Sequence, residues 1–286
     1  MRFALLVPCR DGARFLPRLI ASVEAQRRPF DECWLFDDGS RDDSAAIARD
    51  AGFRVVTATA SIGPAAARNR LAAECTCEWI HFHDADDTLE PDYLAATAAV
   101  ALEPAVDFVV CDMRWIDEAT GEVDSIWHYD EAELRADARP HLIRRTVGGI
   151  NGLYRREGFA RFGAFDTRRD YWEDLEFTDR WCRGGARLRV VPRELVTAFR
   201  RPDSYSNTRL VRVWRSKREL LEAWLPDSNA SERTAISEEA AHLAVRLLLL
   251  GDTPGARSAL ALNRRAGGRA PETRHPLLRA IKSILP

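Results

Sequence analysis

The first hundred residues alternate short apolar runs with segments of helical periodicity, and this alternation constrains the fold more than any other feature. It predicts strands at Phe3–Val7, Trp34–Phe36, Phe53–Thr57 and Glu78–Phe82, and helices at Ala13–Gln26, Asp42–Asp50 and Pro64–Ala73. Strands that alternate with helices form βαβ units, in which a parallel sheet carries helices on both faces. We therefore predict an α/β fold whose ligands bind beyond the carboxyl ends of the strands.

The rest of the chain divides into an irregular part and a helical part. Between about Val106 and Asn207, a strand at Phe108–Cys111, a glycine-rich stretch at Gly148–Gly152 and a helix from near Glu173 stand out. The sequence then predicts helices at Leu210–Trp224, Ser237–Leu250, Pro254–Asn263 and Pro276–Leu285. Turn signals between the second and third of these predict a helical hairpin, because glycine ends one helix and proline begins the next.

Charge is nearly balanced over the whole chain but not along it. The 286 residues include 42 basic and 44 acidic side chains, a net charge of −2. This balance argues against a protein that coats nucleic acid, since such proteins have a strong basic excess. Residues 206–286 carry 14 basic and 8 acidic side chains, a net charge of +6. An anionic membrane surface or a partner subunit, including a homodimer partner, could meet this tail, and simple packing of its helices is equally compatible.

The cysteines and the lack of long apolar runs indicate where the protein resides. Of six scattered cysteines, only Cys75 and Cys77 stand close together, and a single C-x-C pair is not a zinc motif. We expect reduced thiols in a cytosolic protein. No apolar run reaches the ~20 residues of a membrane span. We therefore predict a cytoplasmic chain, with peripheral contact at the inner face of the membrane as an open alternative.

Acidic side chains follow two of the predicted strands at the edge where ligands bind. Asp84 and Asp86 follow the fourth strand, and Asp37 and Asp38 follow the second. Hard divalent cations such as Mg²⁺ and Mn²⁺ prefer carboxylate oxygens, and a carboxylate at a strand end also accepts hydrogen bonds from a ribose. Taken singly, each pair is also explained as a cap for the helix that follows it.

A third acidic group lies far along the chain, where Glu173 and Asp174 open a predicted helix. The helix dipole favours the ionised form of such a carboxylate, whereas an adjacent carboxylate raises its pKa. A group of this kind takes a proton from a hydroxyl near neutral pH, which makes it a candidate general base. Decoration of the first helical turn is the alternative.

Arginines could supply the positive charge that a diphosphate needs. Arg68 lies in the third predicted helix, and Arg200 and Arg201 follow a predicted strand at Val196–Phe199. Guanidinium groups bind pyrophosphate oxygens, although solvation at the surface would also account for each arginine. His81 and His83, by contrast, are interpreted as packed or hydrogen-bonded residues rather than as metal ligands.

Taken in order, these motifs resemble those of the inverting nucleotide-sugar glycosyltransferases of family 2, which have the GT-A fold. The segments that carry the resemblance are Leu6–Asp11, Phe36–Asp42, Gly63–Asn69, Trp79–Asp87, Leu153–Arg156, Phe162–Asp166 and Glu173–Asp174. The resemblance covers about residues 2–207 and implies a Rossmann-like, mostly parallel sheet. It implies a GT-A domain at 1–207, with a nucleotide-binding half at 1–105 and an acceptor-side half at 106–207. The helical C-terminal region then occupies 208–286.

The resemblance also implies roles for the residues above. Three of them are expected to line the uridine pocket: Pro8, Arg10 and Asp38. Arg68 is expected near the base or the diphosphate, and Asp84 near the ribose and the metal. Asp86 is expected to be the direct ligand of Mn²⁺ or Mg²⁺, and Asp174 matches the general base of the family.

Two positions depart from the family pattern. Asp11 stands where many members have asparagine, with Arg10 at the preceding aromatic position. The late loop at Phe199–Ser206 lacks the usual histidine, so either Arg200 or Arg201 is expected to substitute for it. The chain also lacks a Q-x-x-R-W element, which argues against a processive synthase.

These expectations describe a metal-dependent, non-processive, inverting glycosyltransferase of the hexosyltransferase type. It would move a sugar from a nucleotide-sugar, expected to be a UDP-sugar, to a hydroxyl of a glycan or lipid-linked acceptor in polysaccharide biosynthesis. Two alternatives remain open. A nucleotidyltransferase of related fold is disfavoured by the single glycine in the loop after the first strand. A non-catalytic nucleotide-sugar or glycan-binding module is disfavoured because a binding module needs no base.

Overall fold

A mixed sheet of nine strands lies in the first of two units into which the chain divides. This sheet unit comprises Met1–Ala136 and Val147–Arg201, and the second, helical unit comprises Asp137–Thr146 and the chain from Pro202 onward. The computed structural model describes residues 1–268. The division at Arg201 is close to the predicted domain boundary at residue 207, which stays a prediction.

The strands alternate with helices over the first hundred residues, which confirms the predicted α/β fold. The strands are β1 Phe3–Cys9, β2 Glu32–Asp37, β3 Arg54–Thr57, β4 Trp79–Phe82, β5 Thr88–Leu89, β6 Phe108–Asp117, β7 Val123–Trp127, β8 Gly152–Arg155 and β9 Leu188–Arg200. The helices are α1 Leu16–Glu24, α2 Ser44–Asp50, α3 Pro64–Glu74, α4 Tyr93–Ala101, α5 Glu131–Ala136, α6 Ala138–Arg144, α7 Gly158–Phe162, α8 Glu173–Arg183, α9 Leu210–Trp224, α10 Ala230–Leu249 and α11 Thr253–Arg265.

The sheet has the order β3-β2-β1-β4-β8-β6-β9-β5, with β7 paired to β6. Strands β1 to β4 pair in parallel, as the alternation predicts, whereas the short β5 runs antiparallel to β9. The second half is mixed, because β8 runs antiparallel to both β4 and β6 while β6 and β9 run parallel. The expectation of a mostly parallel sheet therefore describes the first half and not the second.

Burial of β1 explains why it reads as an apolar run, and β4 is equally buried, with His81 as its one polar side chain. Helices cover both faces of a parallel sheet, so its central strands have no solvent-facing side. The register places Cys9 of β1 beside Asp37 of β2, and Leu6 of β1 beside Phe82 of β4. The loops that follow β1, β2 and β4 consequently meet at one edge, which we call the carboxyl edge of the sheet.

An aromatic cluster anchors α8 to the sheet unit. Phe177 of α8 stacks on Phe165 with ring centroids 4.2 Å apart, and its ring lies 4.9 Å from that of Trp181. Tyr154 of β8 meets both Phe177 and Trp181 edge-on. Rings packed in this way bury large apolar areas and hold a helix in one orientation, so the first turn of α8 has a defined position.

The helical unit contains the predicted hairpin, formed by α10 and α11. Gly251 has a φ of +79° between the two helices, and the Asp252 side chain accepts a hydrogen bond from the Gly255 N–H. The predicted helix at Ser237–Leu250 is the later part of α10. That helix begins earlier, after a capping box in which Asn229 and Glu232 each accept a hydrogen bond from the other's backbone N–H.

Part of the basic charge of the tail is neutralised within the helical unit. Arg215 donates hydrogen bonds of 2.6 and 2.5 Å to the two carboxylate oxygens of Asp252. The predicted helix at Pro276–Leu285 lies outside the described residues. Among residues 1–268, no helix is both long and apolar enough to cross a membrane. Contact with an anionic surface stays a prediction.

Candidate active site

Hydrogen bonds tie the loops after β1 and β2 together at the carboxyl edge. The Asp11 N–H donates to Ser40 Oγ at 3.0 Å, and the Arg41 N–H donates to Asp11 Oδ1 at 2.8 Å. Asp11 has a φ of +51°, a conformation that aspartate and asparagine tolerate better than most residues. The residue that departs from the family's asparagine therefore has a local structural role, and Arg10 beside it is exposed.

Asp38 uses its carboxylate to shape the loop that precedes α3. It accepts hydrogen bonds from Ser61 Oγ at 2.5 Å, the Ile62 N–H at 2.6 Å and the Gly63 N–H at 3.1 Å. Its carboxylate therefore holds this loop in place, and any contact with a base would be in addition to these bonds. The places of Pro8, Arg10 and Asp38 in a uridine pocket remain predictions.

Three carboxylates converge in the loop that follows β4. Asp84, Asp86 and Asp87 each offer an oxygen, and these oxygens lie within 4.8 Å of one another. Burial, together with Asp86 and Asp84, raises the pKa of Asp87 well above its usual range. Asp87 also accepts the Phe199 N–H at 3.0 Å, which joins the cluster to β9. Clustered carboxylate oxygens are the donor set that Mg²⁺ or Mn²⁺ prefers.

Arg68 of α3 connects this acidic cluster to the first turn of α8. Its Nη2 donates to Asp84 Oδ1 at 2.9 Å, and its Nη1 donates to Glu173 Oε1 at 2.6 Å. The guanidinium is buried, and its central carbon lies 5.6 Å from the centre of the Phe165 ring. Asp84 and Glu173 are 89 positions apart in the sequence, and the Arg68 guanidinium thus holds both.

Asp174, next to Glu173, lies where its surroundings raise its pKa. Burial, followed by the adjacent charge of Glu173, raises the pKa of Asp174 to about 7, and Arg68 opposes the increase. The Leu175 N–H donates to Asp174 Oδ1 at 2.8 Å. A partly buried carboxyl with a pKa near 7 can accept a proton at neutral pH and hold it in a protected environment.

Gly149, within the glycine-rich stretch at Gly148–Gly152, lies beside Asp174. It has a φ of +69°, and a Cβ at this position would lie 3.2 Å from Asp174 Oδ2. Its N–H donates to the Tyr154 hydroxyl at 2.9 Å. The backbone can approach the carboxyl of Asp174 this closely because the residue has no side chain.

Arg201, the residue directly after β9, reaches the acidic cluster. Its Nη2 donates to Asp86 Oδ2 at 2.6 Å, and its Nε lies 3.6 Å from Glu118 Oε2. The guanidinium also stacks 3.9 Å above the Phe15 ring. Neither Glu118 nor Phe15 belongs to a motif, so sequence reasoning could not have identified them.

Arg200, the other candidate from the late loop, is elsewhere. Its Nη1 pairs with Asp124 Oδ2 at 3.1 Å, and its guanidinium lies 5.1 Å from the Trp115 ring centre. Both partners belong to the hairpin formed by β6 and β7. Successive residues of a strand point to opposite faces, so one of the two arginines faces the acidic cluster and the other faces the hairpin.

His81 and His83 are packed residues, as interpreted from the sequence. Both are fully buried, and His81 Nε2 lies 3.2 Å from His83 Nδ1. His81 Nδ1 lies 2.8 Å from the Gly152 carbonyl oxygen and 2.7 Å from the Tyr93 hydroxyl. Burial lowers the pKa of both rings. Neutral rings in this arrangement connect β4 to β8 and α4 beneath the acidic loop.

A second group of possible metal ligands lies at the amino ends of β2 and β4. Glu32, Cys75 and Cys77 are buried, with ligand atoms within 4.8 Å of one another. The Glu32 carboxylate, however, already accepts hydrogen bonds from three side chains: Arg2, Trp34 and Thr76. The carboxylate is satisfied without a metal, and the group lies away from the carboxyl edge.

The mixed sheet, with carboxylates gathered at its carboxyl edge, has the GT-A fold of glycosyltransferases. Residues 4–163 match the family model described as "Glycosyl transferase family 2". The chain belongs to this family, as the order of its motifs implied.

Curated relatives agree with this assignment. The chain is 28% identical over 202 residues to the pre-mycofactocin glycosyltransferase of Mycobacterium tuberculosis (strain ATCC 25618 / H37Rv), a match that covers 67% of this chain and 41% of the relative. It is 27% identical over 207 residues to the succinoglycan biosynthesis protein ExoU of Rhizobium meliloti, covering 65% and 58%. The chain therefore matches less than two thirds of the length of either relative.

Solved structures confirm the GT-A fold. The mannosyltransferase PcManGT from Pyrobaculum calidifontis, in complex with GDP-Man and Mn²⁺, has a TM-score of 0.63 at 18% identity, covering 99% of this chain and 79% of that one. Staphylococcus aureus TarS 1–349, in complex with UDP-GlcNAc, has a TM-score of 0.61 at 17% identity, covering 95% and 93%. At these identities the likeness concerns the fold.

Proposed function

We propose that this chain is a metal-dependent, non-processive, inverting glycosyltransferase that moves a sugar from a nucleotide-sugar to an acceptor hydroxyl. The observation that carries the proposal is the double pairing of Arg68, which holds Asp84 of the acidic cluster and Glu173 beside Asp174. A nucleotide-binding module would need the acidic cluster but not a carboxyl with a pKa near 7 within the same network.

The acidic cluster fits a divalent cation. Asp84, Asp86 and Asp87 are hard oxygen donors gathered at the carboxyl edge, and they would hold Mn²⁺ or Mg²⁺ with a nucleoside diphosphate. Such a cation would neutralise the charge of the departing diphosphate. Arg201 and Arg68 add two guanidinium groups to the same edge, and guanidinium binds phosphate oxygens well.

Asp174 would act as the general base. Its Oδ1 accepts the Leu175 N–H, so Oδ2 is the atom that faces Gly149 and would take the proton from the acceptor hydroxyl. As that proton moves to Oδ2, the acceptor oxygen bonds to the anomeric carbon. The bond from that carbon to the diphosphate oxygen breaks on the opposite face, so the configuration inverts.

The donor and the acceptor are proposed by class. TarS 1–349 binds UDP-GlcNAc and PcManGT binds GDP-Man, and we propose a UDP-sugar for this chain. One relative is named for succinoglycan biosynthesis and another for O-antigen biosynthesis, which supports a glycan or lipid-linked acceptor. A lipid-linked acceptor would bring the chain to a membrane surface.

A donor panel tests the proposal. The full chain is incubated with UDP-, GDP- and dTDP-sugars, with Mn²⁺ or with EDTA, and release of nucleoside diphosphate is measured. We expect release from a UDP-sugar with Mn²⁺ and its loss with EDTA, and proton NMR of the product should show inversion. Release of pyrophosphate from a sugar phosphate and a nucleoside triphosphate would instead indicate a nucleotidyltransferase. Binding without turnover, across the panel and a set of acceptor sugars, would contradict catalysis.

A further inference from the structure

Arg201 already pairs with Asp86, the carboxylate that the family motif predicts as the metal ligand. Arg201 Nη2 lies 2.6 Å from Asp86 Oδ2, and the Arg201 side chain is only 8% exposed. This contact is short and charge-assisted, and such contacts are about twice as strong as neutral hydrogen bonds. A divalent cation bound by Asp86 would have to share its carboxylate with this guanidinium or displace it.

Other side chains hold Arg201 in this position. Its guanidinium stacks on the Phe15 ring and lies beside Glu118, which is itself fixed by Arg18 through a hydrogen bond of 2.8 Å. The second Nη of Arg18 donates to the Asp86 carbonyl oxygen at 2.7 Å. Contacts to the side chain of Arg201 and to the backbone of Asp86 thus both support this pair.

We propose that Arg201 is an internal counter-cation that competes with the divalent cation for Asp86 and moves to the diphosphate when the donor binds. The proposal rests on the function proposed above. A diphosphate is the stronger partner for Arg201, because it offers several anionic oxygens to a planar guanidinium. Once Arg201 has moved, Asp86 can bind the metal.

Competition of this kind couples the binding of the metal to the binding of the nucleoside diphosphate. The metal alone would bind weakly, because Arg201 must first leave Asp86, and the nucleoside diphosphate would increase the metal affinity. By thermodynamic reciprocity, the metal would increase nucleotide affinity by the same factor. The chain would then assemble the charged site mainly when metal and donor are both present.

Mn²⁺ alone is the probe that isolates the competition. Binding is followed by the electron paramagnetic resonance signal of free Mn²⁺, without nucleotide, for the wild-type chain, Arg201→Met and the control Arg200→Met. Since the competing pair is a charge-assisted hydrogen bond, we expect Arg201→Met to bind Mn²⁺ about tenfold or more tightly than wild type. Arg200 pairs with Asp124 on the hairpin, so its variant should match the wild type. Equal Mn²⁺ affinity in all three proteins, including no binding in any, would overturn the proposal.

Further variants keep the test independent of folding and of the proposed function. Arg201→Gln is polar but uncharged, and it should show the same gain in Mn²⁺ affinity; it replaces Arg201→Met if that variant does not fold. Arg201→Lys keeps the positive charge and should retain most of the competition. A second titration adds UDP to each protein. UDP should raise the Mn²⁺ affinity of the wild type, and this gain should shrink in Arg201→Met. Failure of the wild type to bind any nucleoside diphosphate would contradict the proposed function, whereas unchanged Mn²⁺ affinity in the Arg201 variants contradicts the competition alone.

Discussion

Replacing Asp174 with Asn should abolish transfer and at the same time stabilise the protein at neutral pH. The amide keeps the size of the carboxyl but cannot accept a proton, and removal of a general base typically costs about 10²- to 10⁴-fold in rate. Donor binding should be retained, because the acidic cluster and Arg68 are unchanged. Loss of activity with a gain in stability is the combination that separates a catalytic carboxyl from a structural one.

The size of the stability change follows from the pKa of Asp174. Burial raises this pKa from 3.8 to about 7 in the folded chain. At 1.36 kcal/mol per pKa unit, ionisation costs the folded state about 4 kcal/mol, an upper bound because the side chain is partly exposed to solvent. Because the folded pKa lies above the unfolded one, the stability of the protonated form is fully present below about pH 4. It is lost as the pH rises through 7.

Urea denaturation at two pH values measures this difference. Asp174→Asn should exceed wild type by about 1–3 kcal/mol at pH 8 and equal it at pH 4, since other titrating groups cancel in the comparison. The acid limb of the wild-type rate profile should show an apparent pKa near 7. Near-normal transfer by Asp174→Asn would assign the base elsewhere, with Glu173 the next candidate. A stability difference that is the same at both pH values would refute the burial argument.

Two other substitutions test the network around Asp174. Gly149→Ala should cost about 1–3 kcal/mol in urea denaturation and reduce transfer at least tenfold, since the new Cβ would be strained at φ +69° and would crowd Asp174. Gly52→Ala, at φ +82° with nothing within 4 Å, is the matched control: it should show the backbone cost alone, and equal loss of transfer in both variants would contradict a role for the contact. Arg68→Met should move the acid limb of the rate profile above pH 7, because Arg68 lowers the pKa of Asp174. Arg68→Lys should restore part of that shift, and an unmoved limb would show that Arg68 does not influence the base.

The first half of the fold could be predicted because each signal is local. A buried strand such as β1 reads directly as an apolar run, and Pro64 marks the start of α3. The carboxyl ends of parallel strands meet at one edge, so Asp38 and Asp84 could be placed there without coordinates. The acidic motif and Asp174 were identified from the order of motifs, which is also a property of the sequence alone.

The remaining features depend on contacts between distant segments. The choice between Arg200 and Arg201 depends on the direction in which each side chain points where β9 ends, and the start of β9 at Leu188 was not predicted. The bridge from Arg68 to Glu173 is a tertiary contact with no pattern along the chain. α10 begins at Ala230 rather than Ser237, because its capping box lies ahead of the apolar periodicity on which the prediction relied.

A buried ion pair offers a sharp test of what holds the helical unit together. Lys217 Nζ lies 2.6 Å from Glu239 Oε1, and their side chains are 3% and 6% exposed. Glu239→Gln should lower the free energy of unfolding by about 3 kcal/mol, because it removes the negative charge that faces the buried Lys217 ammonium. Glu238→Gln is the matched control: this neighbouring glutamate pairs with Arg144 at the surface, where such pairs contribute about 0–1 kcal/mol.

The double variant Lys217→Met with Glu239→Leu should recover most of the loss, since two apolar side chains need no compensation. Urea denaturation followed by far-UV circular dichroism measures all of these variants. Equal losses in the two glutamate variants would show that burial of the pair does not determine its contribution.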